Sequence, residues 1–267
     1  MNRALFLQTL WSQRVKLLVV FLALTVWGAL LPIVYGAFGQ TFKDIISSGL
    51  IPEELTQFGG GDIFSLSGSI ALGAIHPISL TLNSIFAVGF ATAAIAGERQ
   101  RGTLEVMLAR PISRRTAYLT LLVATLTFVG IALVATLVGA IVGAAIGGVL
   151  DELAIDRLPI VWLNGFLLFG SIAAIGLAAS ASFDRLTPAL GITLAIVVVM
   201  YFLEVLGTFW PDAKGLQPYS LFHYYQPKKL LESGASPMDL ALLAFVAFAA
   251  IVWALYEFPR RDLAAPS

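Results

Sequence analysis

Charged residues are sparse along this chain and fall in clusters, leaving six long uncharged or nearly uncharged runs between them. A helix needs about 20 apolar residues to cross a hydrocarbon core of roughly 30 Å, so the runs predict membrane spans at 17–38, 78–97, 116–148, 158–183, 188–207 and 240–256. Pro77, directly after His76, suits the first turn of a helix and places the start of the second span. The sixth is announced by Ser236, Pro237 and Asp239, an N-cap, a first-turn proline and an acid. The third run exceeds one crossing and must tilt, protrude or break, with Gly130 or the glycines beyond it as the places. The first is full length and preceded by sixteen residues, so it reads as a retained span rather than a secretory signal. The expected fold is an all-α polytopic membrane protein, a single transmembrane domain of six helices over 1–267.

Three shorter segments add detail. In residues 1–16, Asn2, Thr9, Ser12, Gln13 and Lys16 recur at helical spacing opposite Ala4, Leu7, Leu10 and Trp11. That pattern suits a helix lying in the headgroup layer, and equally a helical extension of the first span. Residues 63–75 are apolar but too short to cross alone, and are expected at the outer interface or as a re-entrant piece. Pro218 to Tyr225 is aromatic and suits the outer aromatic belt.

Composition supports the pattern: 58% of residues are hydrophobic and 12% charged, too few charges for a water-facing surface. The absence of Cys removes disulfides, thiolate metal sites and thiol nucleophiles, and two distant His, His76 and His223, do not make a metal cluster. Zero net charge gives no electrostatic reason to expect nucleic acid. Sorted by loop, however, the charges segregate. Eleven of the sixteen Lys and Arg fall on the side of the termini and the 98–115 loop, while ten of the sixteen Asp and Glu fall on the other. Cytoplasmic loops carry the basic excess, so both termini are expected in the cytoplasm and the protein in a cell membrane, plasma or inner.

The loop at 98–115 is the most informative stretch. Charges bound it, yet its middle carries Leu104, Val106, Met107 and Leu108 as a short helix between Gly102 and Pro111. Apolar anchors ringed by Arg99, Arg101, Arg110, Arg114, Glu98 and Glu105 suit docking into a partner's groove. A basic loop whose leucines rest on the membrane surface fits the same pattern.

The run Glu98-x-x-x-Gly102-Thr103-Leu104-Glu105-x-x-Leu108-x-x-Pro111-x-Ser113-Arg114 resembles the first cytoplasmic loop of permease subunits of type-2 ATP-binding cassette transporters, a mostly exporting class. The ending Phe258-Pro259-Arg260-Arg261-Asp262-Leu263 is also similar. The resemblance implies a coupling helix contacting a cassette ATPase, with Glu98 and Gly102 shaping its start and Thr103, Leu104, Glu105 and Leu108 facing the ATPase. Arg110, Pro111 and Arg114 would close the loop, and none of these residues would be catalytic. It further implies a transporter built from two permease chains, as homodimer or heterodimer, with ATP and Mg bound by the partner ATPase and no cofactor on this chain. Consistently, Lys16, Lys43, Lys214, Lys228 and Lys229 are the only lysines and none follows a glycine, so no Walker A loop is present.

Other features remain. Ala135, Gly139, Gly143 and Gly147 repeat every four residues and predict close helix packing, static or sliding at a dimer face. Glu204 is the one acid within a span, a candidate for the substrate path. A straight helix from Pro188 lifts it about 24 Å, close to the outer headgroups. Gly59-Gly60-Gly61-Asp62 matches a G-x-G-D protease pattern but reads as a flexible turn in an outside loop. An ion-coupled secondary transporter or channel is the alternative function, and an intramembrane enzyme a third, for which no nucleophile and base share a depth.

Overall fold

The computed structural model describes residues 1–47, 57–58, 61–62, 65–109 and 112–261. Helices dominate: α1 Arg3–Ser47, α2 Leu66–Ile75, α3 Pro77–Ser84, α4 Glu98–Gln100, α5 Leu104–Leu108, α6 Arg114–Ile146, α7 Leu158–Ser182, α8 Leu186–Phe209, α9 Pro227–Glu232 and α10 Pro237–Arg260. The one ladder among the described residues is two residues long, Gln57–Phe58 (β1) antiparallel to Gly61–Asp62 (β2). It takes in half of the G-x-G-D sequence, of which Gly59 and Gly60 lie outside the described residues. Among the described residues five helices are long and apolar enough to cross a membrane, and a sixth crossing is made if the bent pair around His76 counts as one.

α1 is one unbroken helix of 45 residues. At about 1.5 Å per residue it is about 67 Å long, roughly twice the hydrocarbon thickness. Residues 1–16 therefore continue the first span, with no break to make a separate surface helix. Their polar face turns toward the protein: Thr9 is buried and the Asn2 amide donates to Thr120 Oγ1 at 2.9 Å. Leu7 and Trp11 point outward, with the Arg14 guanidinium stacked 3.6 Å from the indole centroid. α6 is also unbroken, 33 residues long, and passes through Gly130 without interruption.

Second in chain order is a helix pair, α2 and α3, bent by 50° at His76. The residue before a proline is pushed out of the α region, and His76 sits at φ −62°, ψ 142°, its Nδ1 accepting from Ile78 N. α2 itself is buried, with Trp27 Nε1 of α1 donating to Gly73 O at 2.9 Å. From Leu66 onward the 63–75 stretch is thus packed inside the bundle rather than lying on its surface; residues 63 and 64 lie outside the described residues. After α3 the helix widens into two π-helical segments, Ile85–Phe90 and Ala93–Gly97, before α4.

The two ends of the bundle gather the residues sorted to opposite sides in the sequence. Arg99, Arg114, Asp184 and Arg261 meet at one end. At the other, Tyr35 Oη donates to Glu152 at 2.8 Å and Ser67 Oγ to Glu232 at 2.6 Å. The aromatic segment at this far end is only partly a belt. Tyr219 is exposed, whereas Phe222 and Tyr225 pack into the core and the Tyr224 carbonyl accepts from Asn164 Nδ2.

The small-residue row of α6 lies against α1 inside one chain. Ala135 is fully buried, and a Cβ on Gly139 or Gly143 would strike the carbonyls of Thr25 or Ala29. α1 answers with Gly28 and Gly36, which meet Thr136 O and Gly147 O in the same way. Backbone meets backbone, so no side chain can yield. Gly139→Val and Gly143→Val are each expected to cost about 1–3 kcal/mol or to abolish accumulation of folded protein. Gly191→Ala, with open space at its Cβ, is expected to leave the thermal unfolding midpoint of the purified protein unchanged.

Candidate functional site

The 98–115 loop is built by its own polar residues. The Glu98 carboxylate receives Arg101 Nη2 and Thr103 Oγ1, while the Glu98 carbonyl accepts Thr103 N at 3.0 Å. Gly102 completes the reversal at φ +70°, a conformation glycine takes without steric cost. Glu98 is thus the knot of the turn, and the E-x-x-x-G-T spacing is explained by it.

The next helix, α5, is held by Leu104, which is fully buried in the main core. This corrects the expectation that Leu104 faces a partner: burial of a leucine is worth about 1.5–3 kcal/mol, and that anchors α5 to the bundle. The outward position belongs to Val106, 68% exposed, with Glu105 exposed beside it and Leu108 half-buried. Arg110 and Pro111 lie outside the described residues. Ser113 then caps α6, its Oγ accepting from Thr116 N at 3.1 Å. Between this loop and the first turns of α1 runs a groove of about 410 Å³, lined by Gln8, Thr9, Ser12 and Gln13 on one wall and Thr103, Val106 and Met107 on the other.

The arginines divide. Arg101 stays at the turn with Glu98, but Arg99 is buried and ion-pairs with Asp184, between α7 and α8, at 2.6 Å. Arg114, expected to close the loop, reaches instead to the end of α10, donating to Arg261 O at 2.6 Å and Pro259 O at 3.3 Å. Asp184, Gln100 and Arg261 had no local signal, since their partners lie about eighty or more residues away.

Above the loop, Ser180 of α7 supports the π-helical backbone. Its hydroxyl accepts from Ile95 N at 3.1 Å and Ala96 N at 2.9 Å and donates to Thr92 O at 2.6 Å. One donor and two acceptor sites are all that a hydroxyl has, so Ser180 is saturated. Gly176, a turn earlier, lets α7 approach Ala87 O and Ala91.

Glu204 sits near the far end of α8, facing a cavity of about 30 Å³ lined by Ile75, Leu80, Tyr201, Phe222 and Tyr225. That space suits a water or two, not an organic cation. Gln217 Nε2 donates to Glu204 O at 3.1 Å and Oε1 at 3.3 Å, and His223 Nδ1 lies 3.6 Å from Oε2. Burial pushes the His223 imidazole below its ordinary pKa, with Lys229 adding to the shift and Asp239 opposing it. The carboxylate thus ties α8 to the segment that follows it.

A helical bundle with several helices long and apolar enough to cross a membrane is a multi-pass membrane protein. The family model for the ABC-2 family transporter protein matches residues 6–263, and the chain belongs to that family. It is a permease subunit of an ABC transporter. A search of the curated proteins finds no match.

Replacing Ser180 by Ala leaves two buried N–H groups and a carbonyl without their partner, at about 1–3 kcal/mol for each group left unsatisfied. Ser180→Ala is expected to lower the thermal midpoint clearly in a fluorescence melt of the purified protein. Thr127→Ala, whose hydroxyl turns back onto the Val123 carbonyl of its own helix, is expected to change stability by no more than about 0.5 kcal/mol.

Proposed function

We propose that this chain is the membrane-spanning half of an ATP-driven exporter, paired with a second permease chain and with a separate cassette ATPase beneath each. The termini and the 98–115 loop face the cytoplasm, in accord with the basic excess on that side. The ATPase binds ATP and Mg, and its closure pushes on α5. The observation that carries the reading is Val106: an exposed apolar side chain on a five-residue helix held in place by buried Leu104 and the Glu98 turn. A loop that only joined two spans has no need of such a rigid mount for an apolar tip, whereas a docking helix does.

An ion-driven carrier has less support, since Glu204 is engaged by Gln217 and faces a cavity of a water's size.

The test is assembly. Co-expressed with its proposed cassette ATPase partner, the wild-type chain is expected to co-purify as a complex and to stimulate ATP hydrolysis. Val106→Asp is expected to weaken that complex by at least about tenfold, about 1.4 kcal/mol, without lowering the permease's own thermal midpoint. A wild-type chain that binds no ATPase, or a Val106→Asp chain that binds as wild type does, contradicts the docking role.

A further inference from the structure

One carboxylate joins the loop to the ends of two other spans. Arg99, just ahead of the loop's turn, is ion-paired with Asp184. The same Oδ1 of Asp184 also receives Arg261, just beyond α10, whose other amino group donates to Ala181 O at 2.9 Å. Gln100, next in the chain, accepts from Leu186 N at 2.9 Å, the first amide of α8, a helix whose own N-cap residue makes no capping bond. From the far side of the loop, Arg114 holds the carbonyls at the end of α10.

The spans gripped in this way are the outlying ones. Only 11% of the central stretch of α8 and of α10 is buried, against 61% in α6 and 67% in α7. A close-packed core helix cannot shift without opening voids, while a helix that shares little surface is displaced at small cost. The loop is therefore tied to the start of α8, which has little packing to lose, and to the end of α10, which rests along α7 through Ser171 Oγ to Leu243 O and Trp253 Nε1 to Ser182 Oγ.

We infer that Asp184 is the positioning residue that makes the loop, the start of α8 and the end of α10 move as one body, so that a push on the loop is delivered to those two spans as well as to α6, which the loop runs into. The inference rests on the proposed function, which supplies the ATPase as the source of the push. Replacing the carboxylate by an amide removes the charge that Arg99 and Arg261 share.

Because the chain contains no Cys, introduced cysteine pairs carry the only spin labels. The permease–ATPase complex in lipid nanodiscs is compared without nucleotide and after trapping with Mg-ATP and vanadate. Three pairs are read against the core: Ala109 with Val123 for the loop, Val198 with Val123 for α8, and Phe248 with Leu163 for α10. All these positions are exposed. In the wild-type background all three distances are expected to change on trapping. In Asp184→Asn the loop distance still changes, while the α8 and α10 changes fall to less than half. Gln100→Ala, on the surface, is expected to reduce the α8 change and spare the α10 change; it decides the matter alone if Asp184→Asn does not accumulate.

Wild-type changes at all three pairs in both variants overturn the inference. So does an Asp184→Asn chain that loses the loop change together with the others, since Asp184 is then only a brace for the loop's fold. A wild-type chain that forms no complex fails at the earlier step and overturns the proposed function itself.

Discussion

A leucine that leaves lipid for a protein interior gains little from the hydrophobic effect, because both surroundings are apolar. Helices in a bilayer must be held by close packing and by polar contacts, and in this bundle the closest packing is the seam of glycines and small residues between α1 and α6. Carbonyls of one helix sit where the other has no side chain, the approach in which weak Cα–H to oxygen contacts form. The rest is arranged on that seam. α2 packs against a flank of α1 through Trp27, and α7 packs on α6 with Trp162 Nε1 donating to Gly130 O at 3.1 Å. α10 lies along α7, and α8 is the span least covered together with it.

Where backbone departs from the α-helix at depth, a side chain makes good the loss. Ser180 serves the π-helical segments in this way. Ser171 of α7 bonds the Leu243 carbonyl within the regular helix α10 at 2.7 Å, joining the two helices. Such hydroxyls act as adaptors between helices that lipid cannot hold together. At the loop end, near water and headgroups, the same joining is done by arginines and Asp184.

The apolar crossings were legible because a charge in hydrocarbon is so costly that about twenty residues without one mark a helix at home in the bilayer. Helix starts at Pro77 and Pro237 were legible because proline acts locally, whereas the cap that Ser113 gives α6 was not read. The buried placement of α2 was not separable from a surface helix, since both need the same apolar composition and only contacts such as that with Trp27 distinguish them. Within α5, five residues are too few to show a periodicity, so Leu104 and Val106 looked alike and their opposite placements emerged only in the fold. Asp184, Gln100 and Arg261 were illegible because the pairing of distant charges leaves no trace in one sequence. The π-helical widening was hidden too, as nothing in Ile85–Gly97 marks it apart from Ser180, eighty-odd residues on.

That widening makes span two less a rod than a screw. A π turn accommodates about one residue more than an α turn, and each residue of an α-helix is worth about 100° of rotation. If one turn between Ile85 and Gly97 tightened, everything below it, including Glu98 and the loop it knots, would swivel by about that angle with little change in length. In this structure the thread is held wide by the three hydrogen bonds of Ser180.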